Sequence, residues 1–391
     1  MIRKNIIFML GLSLFFTASP AVKPIMAQDN SREPVMRVLV IDDKYSIYIM
    51  LDDKYTISEY GTGKLLMKGV ELKTRLKTSK NGFRIGSKEL DCADIMVRIA
   101  PGYDIYIDGR RFRGDVEIVK KDNGKLMVIN FVGMEDYLKG VLYHEVSHKW
   151  PMECLKVQAV AARTFALYQA RMNKMQPYDL RSDIYSQVYG GKNSEKWSTN
   201  IAVDSTKGKV LTYKGDIFPA YFHATCAGYT EDATNLWNID IPPLDGGYCD
   251  FCREAKYYSW TKMVPLEDLE ETLRQNGYKI GSIRTVNVLS KNISGRVDKL
   301  EFKDDQGVTV VLTGKIFRGL MGPNVVRSTK FNAYVRLDQL VLNGYGWGHG
   351  VGMCQWGAYG MAGQGRKAEQ ILKYYYPGSE ITTIDKIPAK P

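Results

Sequence analysis

From Met36 to Val128 apolar and polar residues alternate in short runs, the period of strands buried on one face. Val38–Ile41, Tyr45–Ile49 and Asp104–Ile107 are rich in β-branched and aromatic side chains, which suit a pleated surface. Asn81-Gly82, Asp108-Gly109 and Asn123-Gly124 fall between such runs, and these dipeptides favour hairpin turns. At Gly133 the period lengthens: Met134, Leu138, Val141 and Leu142 stand at helical spacing. That helix is expected to stop at Trp150-Pro151, because a residue before proline avoids the α region. Pro151 then opens a second helix, Met152–Met172, with Leu155, Ala159, Ala162, Ala166 and Ala170 as a narrow stripe that permits close packing. Strands return at Val210–Tyr213 and Ala220–Phe222, a helix is expected over Pro265–Asn276, and further strands over Arg284–Leu312. A glycine-rich loop, Asn343–Gly352, leads into helices near Gln355–Met361 and Lys367–Tyr376. No internal repeat is visible. The pattern predicts an α+β fold, β-rich at its start.

Composition narrows the class. The 391 residues, 45% hydrophobic and 25% charged, exclude a coiled coil, a collagen, a disordered chain and a disulfide-packed mini-protein. Net charge is +11, of which Arg3, Lys4 and Lys23 supply three. A modest basic excess suits an anionic polymer such as cell wall or nucleic acid, without choosing between them. There is no Arg-rich helix or Lys run, so no nucleic-acid partner is expected. Arg3 and Lys4 precede an apolar run from Ile6 to Phe16, and Ala27 ends a stretch before Gln28. That is the layout of a secretory signal peptide over residues 1–27. No later segment reaches the ~18 apolar residues of a membrane span, and the first cysteine, Cys92, is far from the cleavage point. An exported protein without a transmembrane segment after cleavage is expected.

Three groups of residues could carry chemistry. Glu145 continues the apolar face of the first helix, seven residues after Leu138 and four after Val141. A carboxyl against apolar surface has its ionised form disfavoured and can serve as a general acid. The same stretch, His144-Glu145-Val146-Ser147-His148, matches H-E-x-x-H, in which two histidines one helical turn apart hold zinc. Pro151 stops the helix just beyond it, and no third ligand stands at the usual spacing among only four histidines, so a zinc peptidase is a remote alternative. The second group is His223-Ala-Thr-Cys226 with Cys249-Asp-Phe-Cys252. One imidazole and three thiolates close a tetrahedral zinc site, structural because no position is left for substrate. The alternative is a disulfide from Cys226 to Cys249 or Cys252. The third is Gly346-Trp-Gly-His-Gly-Val-Gly-Met-Cys-Gln-Trp-Gly357. Its glycines let backbone approach a ligand, and Trp347, His349, Gln355 and Trp356 offer stacking and hydrogen bonds to a sugar.

Read together, several stretches resemble the SpoIID/LytB family of stage II sporulation protein D and the amidase enhancers. They are Phe112-Arg-Gly114, Asp136-Tyr-Leu-Lys-Gly-Val141, Glu145 ahead of Trp150-Pro151, and Leu155 to Thr164. Ser186-Gln-Val-Tyr-Gly190, Ala220-Tyr-Phe-His223 and Gly346 to Ala358 complete the set. The resemblance implies a domain over residues 111–378, after a β-rich region at 28–110 and before a tail at 379–391. It also implies a lytic transglycosylase acting on peptidoglycan glycan strands, with Glu145 as its one catalytic residue. The carboxyl would protonate the leaving glycosidic oxygen, then take the proton of the muramic primary hydroxyl as the sugar closes into an anhydro ring. Gln187, Tyr189, Trp347, His349, Gln355 and Trp356 would then contact substrate. His223, Cys226, Cys249 and Cys252 look like the zinc site that some members hold beside the cleft. His144 and Val146 replace the small or amide residue and the methionine of many members. The enhancer branch modulates a cell-wall amidase rather than cutting glycan, and that role stays open.

Overall fold

The computed structural model describes residues 33–183 and 186–387; the signal peptide expected at residues 1–27 lies outside them. The strand Val35–Lys44 pairs antiparallel with Leu126–Gly133, from Val35 opposite Gly133 to Lys44 opposite Leu126. The opening strand therefore lies against the one that leads into the first helix. Both belong to a seven-stranded sheet, and a six-stranded sheet running from Arg110–Phe112 to Lys88–Leu90 stands with it. Inward residues of the two sheets, among them Val38, Ile47, Leu76, Ile95, Phe112 and Val128, form one buried cluster. The expected hairpins are present at Asn81-Gly82, Asp108-Gly109 and Asn123-Gly124. A boundary between residues 110 and 111 falls inside a strand, and the core runs across it.

Helix α1 spans Met134–Glu145 and α2 spans Met152–Met172. Gly133 offers no side-chain cap to α1; the Glu33 carboxylate instead accepts from the Glu135 N–H at 2.7 Å. The helix ends at Glu145 because Val146 is already extended (φ −142°), five residues before Pro151. Helix α2 has two packing faces. Ala159, Ala162 and Ala166 enter the first cluster, while Val157, Val160 and Ala161 enter a second. The alanine stripe expected from the sequence thus faces the first core, and a second face, outside that stripe, meets the second core. Arg163, on α2, is fully buried and grips Glu135 on α1 with two hydrogen bonds, of 3.0 and 2.5 Å. Glu135 also accepts from the Gly208 N–H at 3.0 Å. Removing one partner of a buried pair strands the other's charge and typically costs about 3–5 kcal/mol. Arg163→Met is expected to lose about that much in urea unfolding, and the double variant Arg163→Met/Glu135→Leu to recover most of it.

The second cluster contains Cys154, Cys226, Cys249, Cys252, Cys354 and Tyr376. The segment expected as a tail contributes to it, since Glu380–Thr383 is a strand paired antiparallel with Lys209–Tyr213. A third cluster, from Trp260 to Leu342, belongs to two small sheets and the helices Leu266–Gln275 and Gly314–Met321. It leaves and re-enters the fold at one place: Ser259 pairs with Tyr345, and the Gly346 N–H reaches the Tyr258 carbonyl at 3.0 Å. Among the described residues no helix is long and apolar enough to cross a membrane.

Candidate functional site

Glu145 is the last residue of α1, half-buried where the helix meets the second core. Loss of hydration raises its pKa from 4.5 to about 7, against a hydrogen bond from the Gln355 amide that lowers it. A carboxyl in this range both donates and accepts protons near neutrality. Tyr137, two turns earlier, lies close enough for Glu145 to push its own pKa well up, after burial has done most of that work. Its hydroxyl donates to Gln187 Oε1 at 2.9 Å. Gln355 Nε2 also reaches Gln158 Oε1 on α2 at 3.4 Å. The Nε2 groups of Gln158 and Gln187 are buried with no hydrogen-bond partner among the described residues. Unpaired buried donors are costly, and these two lie next to Tyr137 and Gln355, the two side chains that shift the Glu145 pKa or are shifted by it.

Burial of an ionisable carboxyl has a stability signature. A carboxyl whose folded pKa is raised contributes stability that is whole below the unfolded value, 4.5, and lost as pH rises through about 7. Glu145→Gln is expected to match the native protein at about pH 4 and to exceed it at about pH 8, by at most about 3 kcal/mol. Urea unfolding at the two pH values reads the difference, and equal stability at the higher pH would count against the burial.

The glycine-rich loop lies against Tyr221–Cys226. Gly346, Gly348, Gly350 and Gly352 all have positive φ, between 67° and 108°. A Cβ on Gly348 would lie 2.7 Å from the His223 Cβ, and one on Gly352 2.1 Å from the Tyr221 carbonyl. The alternation of glycines is therefore a fitting requirement between two backbones. Trp356 is half-exposed next to Gln355 and meets Trp150 and Tyr359 at 5.2 and 5.3 Å between ring centres. Trp347 sits farther along, edge-on to Tyr257 at 4.7 Å, with Arg327 over the Tyr257 ring. His349 packs on Trp237, Tyr221 and His223, and its Nδ1 accepts from the Val351 N–H at 3.1 Å. Burial and the nearby Arg318 and Arg296 hold its pKa down at about 3, so it is a neutral ring. Tyr189 corrects the sequence reading. It is 2% exposed, stacked between Phe112 and Tyr137, with its hydroxyl donated to Asn130 at 2.9 Å. It supports the site from the core and does not face a ligand.

The H-E-x-x-H match also fails on geometry. The helix ends between the two histidines. His144 Nε2 pairs with Ser194 Oγ at 2.6 Å, and Tyr143 packs against both rings, 5.5 and 5.7 Å away.

The sulfur cluster is real in space but differs in one member. Cys226, Cys249, Cys252 and Cys354 place their Sγ atoms within 4.8 Å of one another, all buried, and no S–S bond joins any of the six cysteines. Cys226 and Cys252 Sγ are 3.6 Å apart. A tetrahedron with Zn–S bonds of ~2.3 Å has edges of ~3.8 Å, so the four sulfurs fit such a site. Cys354 Sγ accepts from the Cys226 and Gly357 N–H groups, each at 3.3 Å. His223 is not one of the four groups within 4.8 Å of one another: its Nδ1 is engaged by the Val351 carbonyl at 3.1 Å, while its buried Nε2 has no hydrogen-bond partner among the described residues. His223 pairs with Cys354 and Thr225 with Trp347 on either side of a bend at Ala224, and the His223 ring packs on His349 at 5.6 Å. Cys354, which closes the set, stands 102 positions after Cys252, beyond the reach of a local spacing. Its signal in the sequence is its place just after the glycine-rich loop, beside Gln355.

Comparison with known proteins places this architecture. The profile of the stage II sporulation protein family matches residues 122–213, the segment holding α1 and α2. An uncharacterised protein of Brachyspira hyodysenteriae is 36% identical over 68% of this chain and 71% of the relative. Stage II sporulation protein D of Bacillus subtilis is 31% identical over 65% of this chain and 76% of the relative. The chain belongs to the stage II sporulation protein D family. The amidase enhancer of Bacillus subtilis is 27% identical over 85% of this chain, covering 52% of that longer protein. A domain of unknown function, DUF8618, matches residues 249–352. In this family member that stretch contains Cys249, Cys252, the third core and the glycine-rich loop, and it stops just short of Cys354.

Proposed function

We propose that the protein is a lytic transglycosylase of peptidoglycan glycan strands, exported to the cell wall, with Glu145 as its single acid and base. The observation that carries this reading is the half-buried Glu145 carboxyl at the end of α1, its pKa raised to about 7 by loss of hydration. As a neutral acid Glu145 gives its proton to the glycosidic oxygen, and the C–O bond to the leaving sugar breaks. As a carboxylate it then takes the proton of the muramic C6 hydroxyl while that oxygen bonds to C1. The proton count balances without water, and no second carboxylate is required, unlike the paired acids of ordinary glycosidases. The aromatic wall of Trp356, Trp150 and Tyr359 offers stacking faces for pyranose rings. Gln158 and Gln187 supply the free donors.

We further propose that zinc binds the four sulfurs of Cys226, Cys249, Cys252 and Cys354 as a structural ion. It would tie the hairpin before the third core to the start of the helix after it. The test of function is incubation of the protein, lacking residues 1–27, with purified glycan strands and mass spectrometry of the products. Anhydromuramyl ends are expected, and reducing ends would replace this reading with hydrolysis. The relative named as an amidase enhancer spans more of this chain than the sporulation protein does, which favours a modulator of a cell-wall amidase as the second reading. Absence of cleavage together with strand binding would select it.

A further inference from the structure

The six-stranded sheet turns one face to the first core, through Ile47, Ile49, Leu76, Phe83, Ile85 and Ile105. Alternate residues of a strand point the opposite way, so the register gives the outer face. In the strand Leu72–Thr78, fourth of the six, the outward residues are Lys73, Arg75 and Lys77, about 7 Å apart along the strand. The neighbouring strand Ser46–Leu51 sets Met50 opposite Lys73, Tyr48 opposite Arg75 and Ser46 opposite Lys77. Tyr106 lies beyond Met50, and the Arg111 guanidinium stands over the Tyr106 ring at 5.4 Å. On the other side Arg84 faces Lys77. Tyr48 is 44% exposed, and Lys73, Arg75, Lys77 and Arg84 are exposed as well.

Stability does not explain this arrangement. Like charges directly opposite across two strands are destabilising, and Lys77 with Arg84 is such a pair. Carboxylates stand at the margins: Glu71 and Asp52 near Lys73, at 2.7 and 3.3 Å, and Glu89 on Arg84. Asp108, which accepts from the Tyr48 N–H, is paired with Lys44 at 2.8 Å. Between them Arg75 donates to the Ser46 hydroxyl at 3.2 Å, and neither Arg75 nor Lys77 has an ion pair among the described residues. We propose that this face holds an acidic glycan of the cell wall, its carboxylates on Arg75 and Lys77 and its sugar rings on Tyr48 and Tyr106. A guanidinium fork matches a carboxylate, and a tyrosine ring gives a rigid apolar face for stacking. The tyrosines favour a glycan over a plain phosphate polymer. The sheet precedes residues 122–213 and 249–352, which the two family profiles match. The surface shares with the functional reading only the glycan as ligand, and it does not need Glu145 to cut.

The experiment is co-sedimentation with peptidoglycan stripped of accessory polymers, using protein that lacks residues 1–27 and carries Glu145→Gln so that nothing is cut. Arg75→Glu/Lys77→Glu is expected to weaken binding about tenfold at low salt, and the gap to close as salt rises, because exposed charges are screened. Tyr48→Ala is expected to weaken it about threefold at every salt concentration, the worth of one stacking face. Peptidoglycan with its carboxyls amidated should bind the unaltered face as poorly as untreated peptidoglycan binds the charge variant. Melting curves check that each variant folds, and Arg75→Ser/Lys77→Ser, expected to act in the same direction, covers a charge reversal that does not. Equal binding by the charge variants, or equal binding to amidated and untreated peptidoglycan, overturns the proposal. Preference for poly(glycerol phosphate) over peptidoglycan, with Tyr48→Ala unchanged, overturns the glycan as occupant. Weaker binding by the variants of a protein that cuts no glycan would sink the transglycosylase reading alone. Cleavage by the native protein, with variants that bind as it does, would sink this one alone.

Discussion

Glu145→Gln is expected to abolish glycan cleavage in a protein that still folds and still binds strands. Glutamine keeps the size of the side chain and can still meet Gln355, but it has no proton to give and cannot take one back. Acid–base catalysis by a positioned side chain is worth about 10²–10⁴ in rate. Because one carboxyl serves both halves of the reaction, the loss should fall at the upper end of that range. The pH profile follows from the same group. Glu145 must start protonated, and its pKa is raised to about 7, so cleavage should hold below that pH and fall above it. Turnover of purified strands by native protein and variant across that range is the measurement. A variant within tenfold of the native rate, or a native profile that keeps rising through pH 8, would remove Glu145 from the mechanism.

Glu145 was legible because two local signals agreed. Its spacing from Leu138 and Val141 placed it on the buried face, and the Trp150-Pro151 stop put it near a helix end. The helix breaks earlier than the proline because Val146 turns extended to bury its side chain with Leu155 and Ala202. A β-branched residue gives up little by leaving a helix, and this exit separates His144 from His148. The bounds of α2 were legible from Pro151 and the alanine stripe, but not its second face, which exists only because another core packs there. The cysteine set shows where local pattern stops. H-x-x-C and C-x-x-C spacings describe reach along the chain, whereas the fourth sulfur arrives through the Ser259–Tyr345 pairing at the base of the third core. Tyr189 illustrates the converse: its motif is real, and its ring lies in the wall behind the site, against Tyr137.

The cluster yields the other large effect, because two ligand sets make opposite forecasts for two single variants. With sulfur ligands only, Cys354→Ala should lose stoichiometric zinc and His223→Ala should keep it. If His223 were the fourth ligand the results would be exchanged. Thiolates suit zinc, and the four Sγ atoms already lie within 4.8 Å of one another, so little rearrangement is needed to close the site. A metal that binds the folded protein at a hundred times its Kd adds about 2.7 kcal/mol. For a fold of this size, with about 2.1 cal/mol/K of unfolding entropy per residue, that corresponds to about 3–4 °C in melting temperature. Chelation of native protein is expected to lower Tm by that amount, and chelation of Cys354→Ala to change it little, since that variant begins without the ion. Elemental analysis of protein purified without added metal, beside melting curves with chelator and with reductant, reads all four arms. A native protein free of zinc, indifferent to chelator, sensitive to reductant and two thiols short when titrated unfolded would make the cluster a disulfide staple.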